Sequence, residues 1–443
     1  MEKMENLSTQ AEAPGMALAT RPKAKNLRWA IIAVLTLLSI VNYLDRGNLS
    51  VAAPLVMKDL HMNPAEMGVI LSSFTWPYAI MNLPAGWSID KFGTKLMMSI
   101  AVGFWSIVSI STGFMKTMGT FITARVFLGV GESAMFPAGV KATNEWFPLR
   151  EKAFATSIFI AGTQVGLAIS APLSTALMLT FGWPAMFVII GSIGFIVLIG
   201  WLILYKDPAK HKWLSREEFQ YIRSAVTEQV EARKQQKVTF AQWVKLFRYF
   251  PTWAMVIGDF ALQYLFWFYI SWLPTFLEKS QHFSISKTGI YGALPYIAGT
   301  LGVLIGGGIS DKFIKRGFSR LDARRYTIAL GAALTGIELL ILAFVHNAGV
   351  AVTLLTLGMF TYSLSSASIW TLATDVVETP TYVASIGSIQ NFGGFLGGAF
   401  APIVTGILVA SMGGFTVALI VTAVLALVSA LLYGLALKRT IPV

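Results

Sequence analysis

Cysteine is absent from all 443 residues, so disulfides, thiol nucleophiles and cysteine-ligated metals are excluded. Histidine occurs 4 times, as His61, His211, His282 and His346, each isolated between apolar runs or at their ends. That scatter offers neither a metal-ligand spacing nor a general base beside a nucleophile. No Gly-x4-Gly-Lys-Ser/Thr loop is present to cradle a nucleotide. An enzyme and an ATP-driven pump are therefore both poor readings, and no cofactor or metal is expected. Charge is also scarce: 13% of the residues are charged, against about 25% in an average soluble domain. With a mean hydropathy of +0.65, most of this chain has lipid as its solvent.

What is there is a series of apolar stretches, at roughly 29–51, 67–89, 96–115, 119–141, 153–178, 183–205, 252–277, 288–310, 326–346, 349–374, 383–410 and 414–437. Segments of about 20 apolar residues cross a hydrocarbon core of about 30 Å as helices. The runs are continuous and rich in Leu, Ile, Ala and Gly, without the alternation of barrel strands. The expectation is an all-α polytopic membrane protein with 12 transmembrane helices. A net charge of +12 raises the question of nucleic acid, but the basic residues gather in alternate loops rather than in a stripe with stacking aromatics. Arg21, Lys23, Lys25 and Arg28 precede the first span; Lys91, Lys95, Arg150, Lys152, the stretch Lys206–Arg248, Lys312–Arg325, Lys438 and Arg439 occupy every second connection after it. This is the positive-inside pattern, and it places both termini and the long middle loop in the cytoplasm.

The chain divides accordingly into a polar tail (1–27), a first six-helix bundle (28–205), a charged linker (206–250) and a second six-helix bundle (251–438). The tail lacks the apolar core and cleavage site of a signal peptide. In the linker, Ser215 followed by Glu217 and Glu218 reads as a capped helix start, and 216–237 is polar nearly all round, as a solvated helix would be. Gly86-x3-Asp90-Lys91-Phe92 after the second span recurs as Gly307-x3-Asp311-Lys312-Phe313 after the eighth, an offset of 311 − 90 = 221 residues, half the chain. A repeat at that period marks a duplicated transporter whose site lies between pseudo-symmetric halves near the bilayer midplane.

Ionisable residues at membrane depth are rare and mark functional sites by default. Here they concentrate in Asn42-Tyr43-Leu44-Asp45-Arg46-Gly47-Asn48 and in Arg125-Val-Phe-Leu-Gly129-Val-Gly131-Glu132. Residues three or four apart share a helix face, so Arg46 aligns with Tyr43 and Asn42 while Asp45 points elsewhere. A guanidinium beside a phenol suits a carboxylate. Arg125 and Glu132 lie two turns apart on nearly one face, and the intervening glycines admit a neighbouring helix. The two can form a permanent ion pair, or the carboxyl can act as a proton switch, because burial and a nearby cation act on it in opposite directions.

The loop motif Gly86-x3-Asp90-Lys91-x-Gly93-x-Lys95 resembles that of the major facilitator superfamily. Tyr43-x-Asp45-Arg46-x-Asn48, taken with Arg125-x3-Gly129-x-Gly131-Glu132-x4-Pro137, resembles its anion:cation symporter branch, which includes bacterial carriers of hexuronates, aldonates and aldarates. The resemblance spans residues 28 to 437. It implies a proton-coupled importer of a sugar-acid anion, working by alternating access as a monomer in a bacterial inner membrane, with lipid and protons as its other partners. It implies proton coupling through Asp45 and Glu132 with Arg125, and gating by Asp90 and Asp311, which would hold the inner gate shut in the outward-open state. The alternatives are a carrier of another organic anion, or an exchanger or exporter.

If Arg125 serves Glu132, Arg46 remains as the cation for the substrate, and one free cation favours a monocarboxylate, aldonate or hexuronate, over an aldarate. Hydroxyl contacts at depth are expected from Tyr78, Gln164, Ser368, Trp370, Gln390 and Asn391, of which Tyr78, Gln164, Trp370 and Asn391 match family ligand positions. Helix-to-helix hydrogen bonds would satisfy the same groups. Asp259 and Glu338 carry no assigned role. Glycines 162, 166, 299, 302, 306, 393, 394, 397 and 398 provide small faces for packing and for sliding of one half against the other.

Overall fold

The computed structural model describes residues 26–222, 239–438 and 440–442. The tail before Asn26 and most of the linker helix expected over 216–237 lie outside them. Thirteen helices carry the fold: α1 (Leu27–Asp59), α2 (Pro64–Ser72), α3 (Thr75–Phe92), α4 (Thr94–Thr112), α5 (Met118–Glu132), α6 (Met135–Trp146), α7 (Leu149–Leu204), α8 (Phe250–Lys279), α9 (Ile285–Lys315), α10 (Arg320–Leu342), α11 (Ala348–Val376), α12 (Val383–Met412) and α13 (Thr416–Leu431).

Local chemistry starts and stops them. Asn63 accepts from Glu66 N while Glu66 accepts from Asn63 N, a reciprocal cap with Pro64 in the first turn of α2. Ser284, Ser319 and Asn347 cap α9, α10 and α11. Among the described residues, nine helices are long and apolar enough to cross a membrane. One of these, α7, is two spans joined at Gly182, whose φ of 82° is open to glycine without steric penalty. Two further spans are each broken in the middle, α2 from α3 at Ser73–Phe74 and α5 from α6 at Ser133–Ala134. Twelve crossings result, as expected; the second and fourth are kinked in the middle, with Ser73, Phe74, Ser133 and Ala134 keeping helical backbone angles.

Six crossings come from each half of the chain. One end of the molecule carries the start of α1 and the basic connections (the basic end), and the other carries the short loops at 60–63, 113–117, 280–284 and 343–347 (the far end). At the basic end Arg28 donates to Glu151 and to Glu218, each at 2.9 Å, and the backbone N–H groups of Leu27 and Arg28 also reach Glu218. Ser215 caps the linker turn as expected, accepting from Glu218 N at 3.1 Å. Glu218 and Ile222 are buried, so the described start of the linker is not solvated all round but pinned to the first half.

The halves meet toward the far end. α2 packs on α12 so closely that a Cβ on Gly68 would fall 2.6 Å from the Pro402 carbonyl. Ser72 Oγ donates to the Ala399 carbonyl across the same seam. α7 meets α9 there too, with Gly289 against Thr175 and Gly292 against Ala171. At mid-depth the contact is aromatic: Phe74 with Trp267 at 6.1 Å and Tyr78 with Phe395 at 5.8 Å between ring centroids. Toward the basic end from this layer, Leu83, Trp370 and Phe392 are exposed. The molecule is closed at its far end and parted at its basic end.

Candidate functional site

Both helix breaks fall at the site. Glu132 is the last residue of α5 and Phe74 lies between α2 and α3. A proline kink in a membrane helix frees the carbonyl four residues back, and here the Ser133 carbonyl accepts from Asn82 Nδ2 at 3.3 Å. Close approach makes the rest: a Cβ on Gly129 would collide with the Phe74 carbonyl, so α5 lies directly on the break in the second span.

Arg46 Nε donates to Glu132 Oε2 at 2.8 Å, with the two side chains 3% and 0% exposed. The Arg46 guanidinium lies 4.6 Å from the Tyr43 ring centroid, 4.7 Å from Tyr78 and 5.1 Å from Phe74. Three ring faces and a carboxylate thus surround a desolvated cation, where cation–π attraction is strongest. Arg46 Nη2 and Glu132 Oε1 are buried and make no well-formed hydrogen bond, although Asn42 on α1 lies beside Glu132 and the Tyr78 side chain beside Arg46, close enough to interact.

Asp45 points away from Arg46, as its position in the turn predicts. It accepts from Ser109 Oγ of α4 at 2.6 Å and from Asn48 at 3.3 Å, and it is buried. Arg125 lies 4.8 Å from the same Phe74 ring that Arg46 covers. Its Nε is buried without a partner, and it interacts electrostatically with Glu132, Asp45 and Arg46. The ion pair therefore differs from the one expected. Glu132 is bonded to Arg46 rather than to Arg125, because the end of α5 turns the carboxylate toward α1, while Arg125, two turns back toward the far end, meets Phe74.

The remaining expected residues fall into separate groups. Tyr43 and Tyr78 join Arg46, through their ring faces. Gln164, half-buried on α7 with its Oε1 unpartnered, lies two residues from Gly166, which packs on Tyr43. Trp370, Gln390 and Asn391 are not beside Arg46. They line a small cavity in the second half, together with Asp259 and Gln263. Ser368 is buried with its Oγ unpartnered. Asp90 is bonded to Lys141 at 2.8 Å, within its own half, and Asp311 is exposed. Both sit at the parted end. Glu338 accepts from Thr361 Oγ1 at 2.7 Å between α10 and α11, which gives it a structural partner.

Phe74, Ser109 and Phe395 escaped the sequence reading. An apolar ring gives no charge signal; a serine in an apolar span does, but many such serines merely bond the preceding turn.

The fold and this site define a polytopic membrane transporter. Residues 35–402 match the family model of the Major Facilitator Superfamily, and the chain belongs to that superfamily. Among curated proteins it is 32% identical to a probable L-galactonate transporter of Escherichia coli K12, over 95% of this chain and 91% of that one. It is 31% identical to a probable sulfoacetate transporter of Cupriavidus necator, over 91% and 92% of the two chains. A probable galactarate/D-glucarate transporter of Escherichia coli K12 is 29% identical over 93% and 95%. Among solved structures, a bacterial homologue of the lysosomal transporter Spinster, in an inward-facing and unoccupied conformation, superposes with a TM-score of 0.77 at 18% identity. That match covers 95% of this chain and 100% of the other, and it supports the fold. Superfamily membership makes this a transport protein rather than an enzyme.

Proposed function

We propose that the protein is a proton-coupled symporter that imports a sugar acid by alternating access, as a monomer in a bacterial inner membrane with both termini in the cytoplasm. The observation that carries the reading is the buried Arg46–Glu132 pair. A cation bonded to a carboxylate at mid-depth is unavailable to a second carboxylate. Protonation of Glu132 removes the competing charge and leaves Arg46 to the incoming anion, so proton and substrate bind together. The relatives named for galactonate, sulfoacetate and galactarate/glucarate transport support an organic anion as the cargo. The basic loops support assigning the parted end to the cytoplasm, so this state would be the one that releases cargo inward.

The charge of the cargo follows from the proton count. With one proton on Glu132, Asp45 still balances Arg125, and Arg46 alone lacks a counter-charge. That state matches a monocarboxylate, an aldonate or hexuronate. With Asp45 protonated as well, Arg125 is also uncompensated, and its unpartnered Nε favours a second reading in which the cargo is a dianion such as an aldarate. Tyr43, Tyr78 and Gln164 are the polar groups around the anion's chain in the first half, with Asn391, Trp370, Ser368 and Gln390 meeting it from the second as the halves rock.

Purified protein in liposomes with an imposed pH gradient tests this. L-galactonate is expected to accumulate on the alkaline side and to leak back when a protonophore is added. Accumulation indifferent to the gradient would refute the coupling. Strong glucarate uptake with no uptake of any monocarboxylate sugar would refute the first charge assignment.

A further inference from the structure

Asp259 is a buried carboxylate in the second half that the site around Arg46 does not use. It sits on α8, one turn to the basic side of Gln263 and two turns from Trp267 of the aromatic layer. It is 3% exposed, and its Oδ1 is enclosed without a hydrogen-bond partner. No arginine, lysine or histidine among the described residues pairs with it or acts on it electrostatically. The ionisable groups that do interact with it are Tyr362 on α11 and Tyr433 beyond α13, phenols that are neutral at ordinary pH. α12 makes room for the carboxylate: a Cβ on Gly394 would lie 2.5 Å from Asp259 Oδ2.

Asp259, Gln263, Ile369, Trp370, Gln390 and Asn391 line a cavity of about 30 Å³, room for a water molecule or two. Gln390 is 4% exposed; its Nε2 donates to the Ile369 carbonyl at 3.4 Å, while its Oε1 has no partner. Asp259 and Gln390 thus line one small cavity, each carries one enclosed oxygen without a partner, and no cation among the described residues serves either.

A lone carboxylate without a cation is too costly to keep charged in such a place. Asp259 is the one carboxylate lining the cavity, and no group of three or more His, Cys, Asp or Glu that could hold a metal ion occurs among the described residues. A proton needs only the one carboxylate. Bound to Asp259 it neutralises the charge and converts an acceptor into a donor, and Gln390 Oε1 is the acceptor that the cavity offers, directly or through a single water. Trp370, which also lines the cavity, is itself exposed.

We propose that Asp259 is a second proton-carrying site of the transport cycle, in the half opposite Asp45 and Glu132, with Gln390 as its hydrogen-bond acceptor when protonated. The carboxylate gains a proton and loses its charge on loading; it returns the proton to the compartment at the basic end on release, and no other bond changes. The cycle would then move one more proton per substrate than the Arg46–Glu132 exchange requires. This rests on the proton-symport reading above.

Protons and L-galactonate moved per turnover are counted in proteoliposomes, from the reversal potential at fixed pH gradient, for the wild type and for Asp259→Asn. The variant is expected to bind L-galactonate and to move one proton fewer per substrate, while Asp259→Glu keeps the wild-type ratio. An unchanged ratio in Asp259→Asn would sink this proposal and leave the Glu132 coupling standing. A wild type that moves no protons would sink both. Charge movement that follows sodium at constant pH, and is lost in Asp259→Asn, would also overturn it. If that variant fails to fold, carbodiimide labelling of the wild type decides. Dicyclohexylcarbodiimide, which modifies protonated carboxyls in apolar sites, should label Asp259 in purified protein, several-fold less as pH is raised. No labelling at any pH, or labelling independent of pH, would count against it.

Discussion

Arg46 sits at mid-membrane with only 3% of its surface exposed, and it is tolerable there because Glu132 and three aromatic faces replace its water. Removing one member of such a pair strands the other and costs about 3–5 kcal/mol. Arg46→Ala is therefore expected to lose L-galactonate binding and to melt earlier in a thermal-shift assay. Adding Glu132→Gln to it should recover much of the stability, because the stranded charge is gone, yet recover no binding. Recovered binding would show that the anion uses another cation. Glu132→Gln alone should retain binding and substrate counterflow, which need no net proton movement, and lose accumulation driven by a pH gradient. Gradient-driven accumulation at the wild-type level would take Glu132 out of the coupling scheme. At this scale the sequence carried far: Arg46, Asp45, Glu132 and Arg125 stand out as charges within apolar runs. Which arginine holds Glu132 did not follow, because a spacing of seven residues describes one helix and the bond joins α5 to α1.

Breaks and close approaches decide what the helices do. The second and fourth crossings kink at Ser73–Phe74 and Ser133–Ala134, where Pro77 and Pro137 lack the N–H that would bond the Ser73 and Ser133 carbonyls four residues back, a signal the sequence does carry. The glycine faces were visible in the sequence, but their partners were not. Gly162 and Gly166 pack on α1, Gly302 and Gly306 on α11, and Gly393, Gly397 and Gly398 on α8, all inside their own half. They tighten each half rather than forming a sliding face between them, as had been expected. The far-end seam instead uses Gly68 and Gly406, with Gly289 and Gly292 on the other side. A β-branched residue at Gly68 would push α2 from α12 at the Pro402 carbonyl. Gly68→Val is expected to slow uptake at least tenfold (roughly the effect of 1.4 kcal/mol on a closure equilibrium). Gly119→Val, at the same end with nothing within 4 Å, should transport nearly as the wild type does. Equal rates for the two would argue that the seam does not close during transport.

For the whole molecule, closure at one end and separation at the other are what one state of the proposed alternating-access cycle would show. The chain has no cysteine, so any introduced thiol is a clean reporter. Gly387→Cys, on the rim of the Asp259 cavity, should react with a membrane-impermeant maleimide applied at the basic end. Thr175→Cys, buried against Gly289, should not react from the far end in this state. Turnover with L-galactonate and a proton gradient should raise the second reactivity and lower the first. Reactivities that do not move in opposite directions would contradict alternating access.

Composition and hydropathy alone determined that the chain lives in lipid, that it crosses twelve times, that its basic loops share one end and that a few charges lie within its spans. Those properties are local: a side chain's transfer energy and a helix's length do not depend on what packs beside them. Tertiary structure decided the pairing of Arg46 with Glu132, the stacking of two guanidiniums on Phe74, the enclosure of Asp259 with Gln390 away from that site, and which end stands open. Each depends on residues from different helices meeting, and a one-dimensional pattern carries no record of which faces will touch.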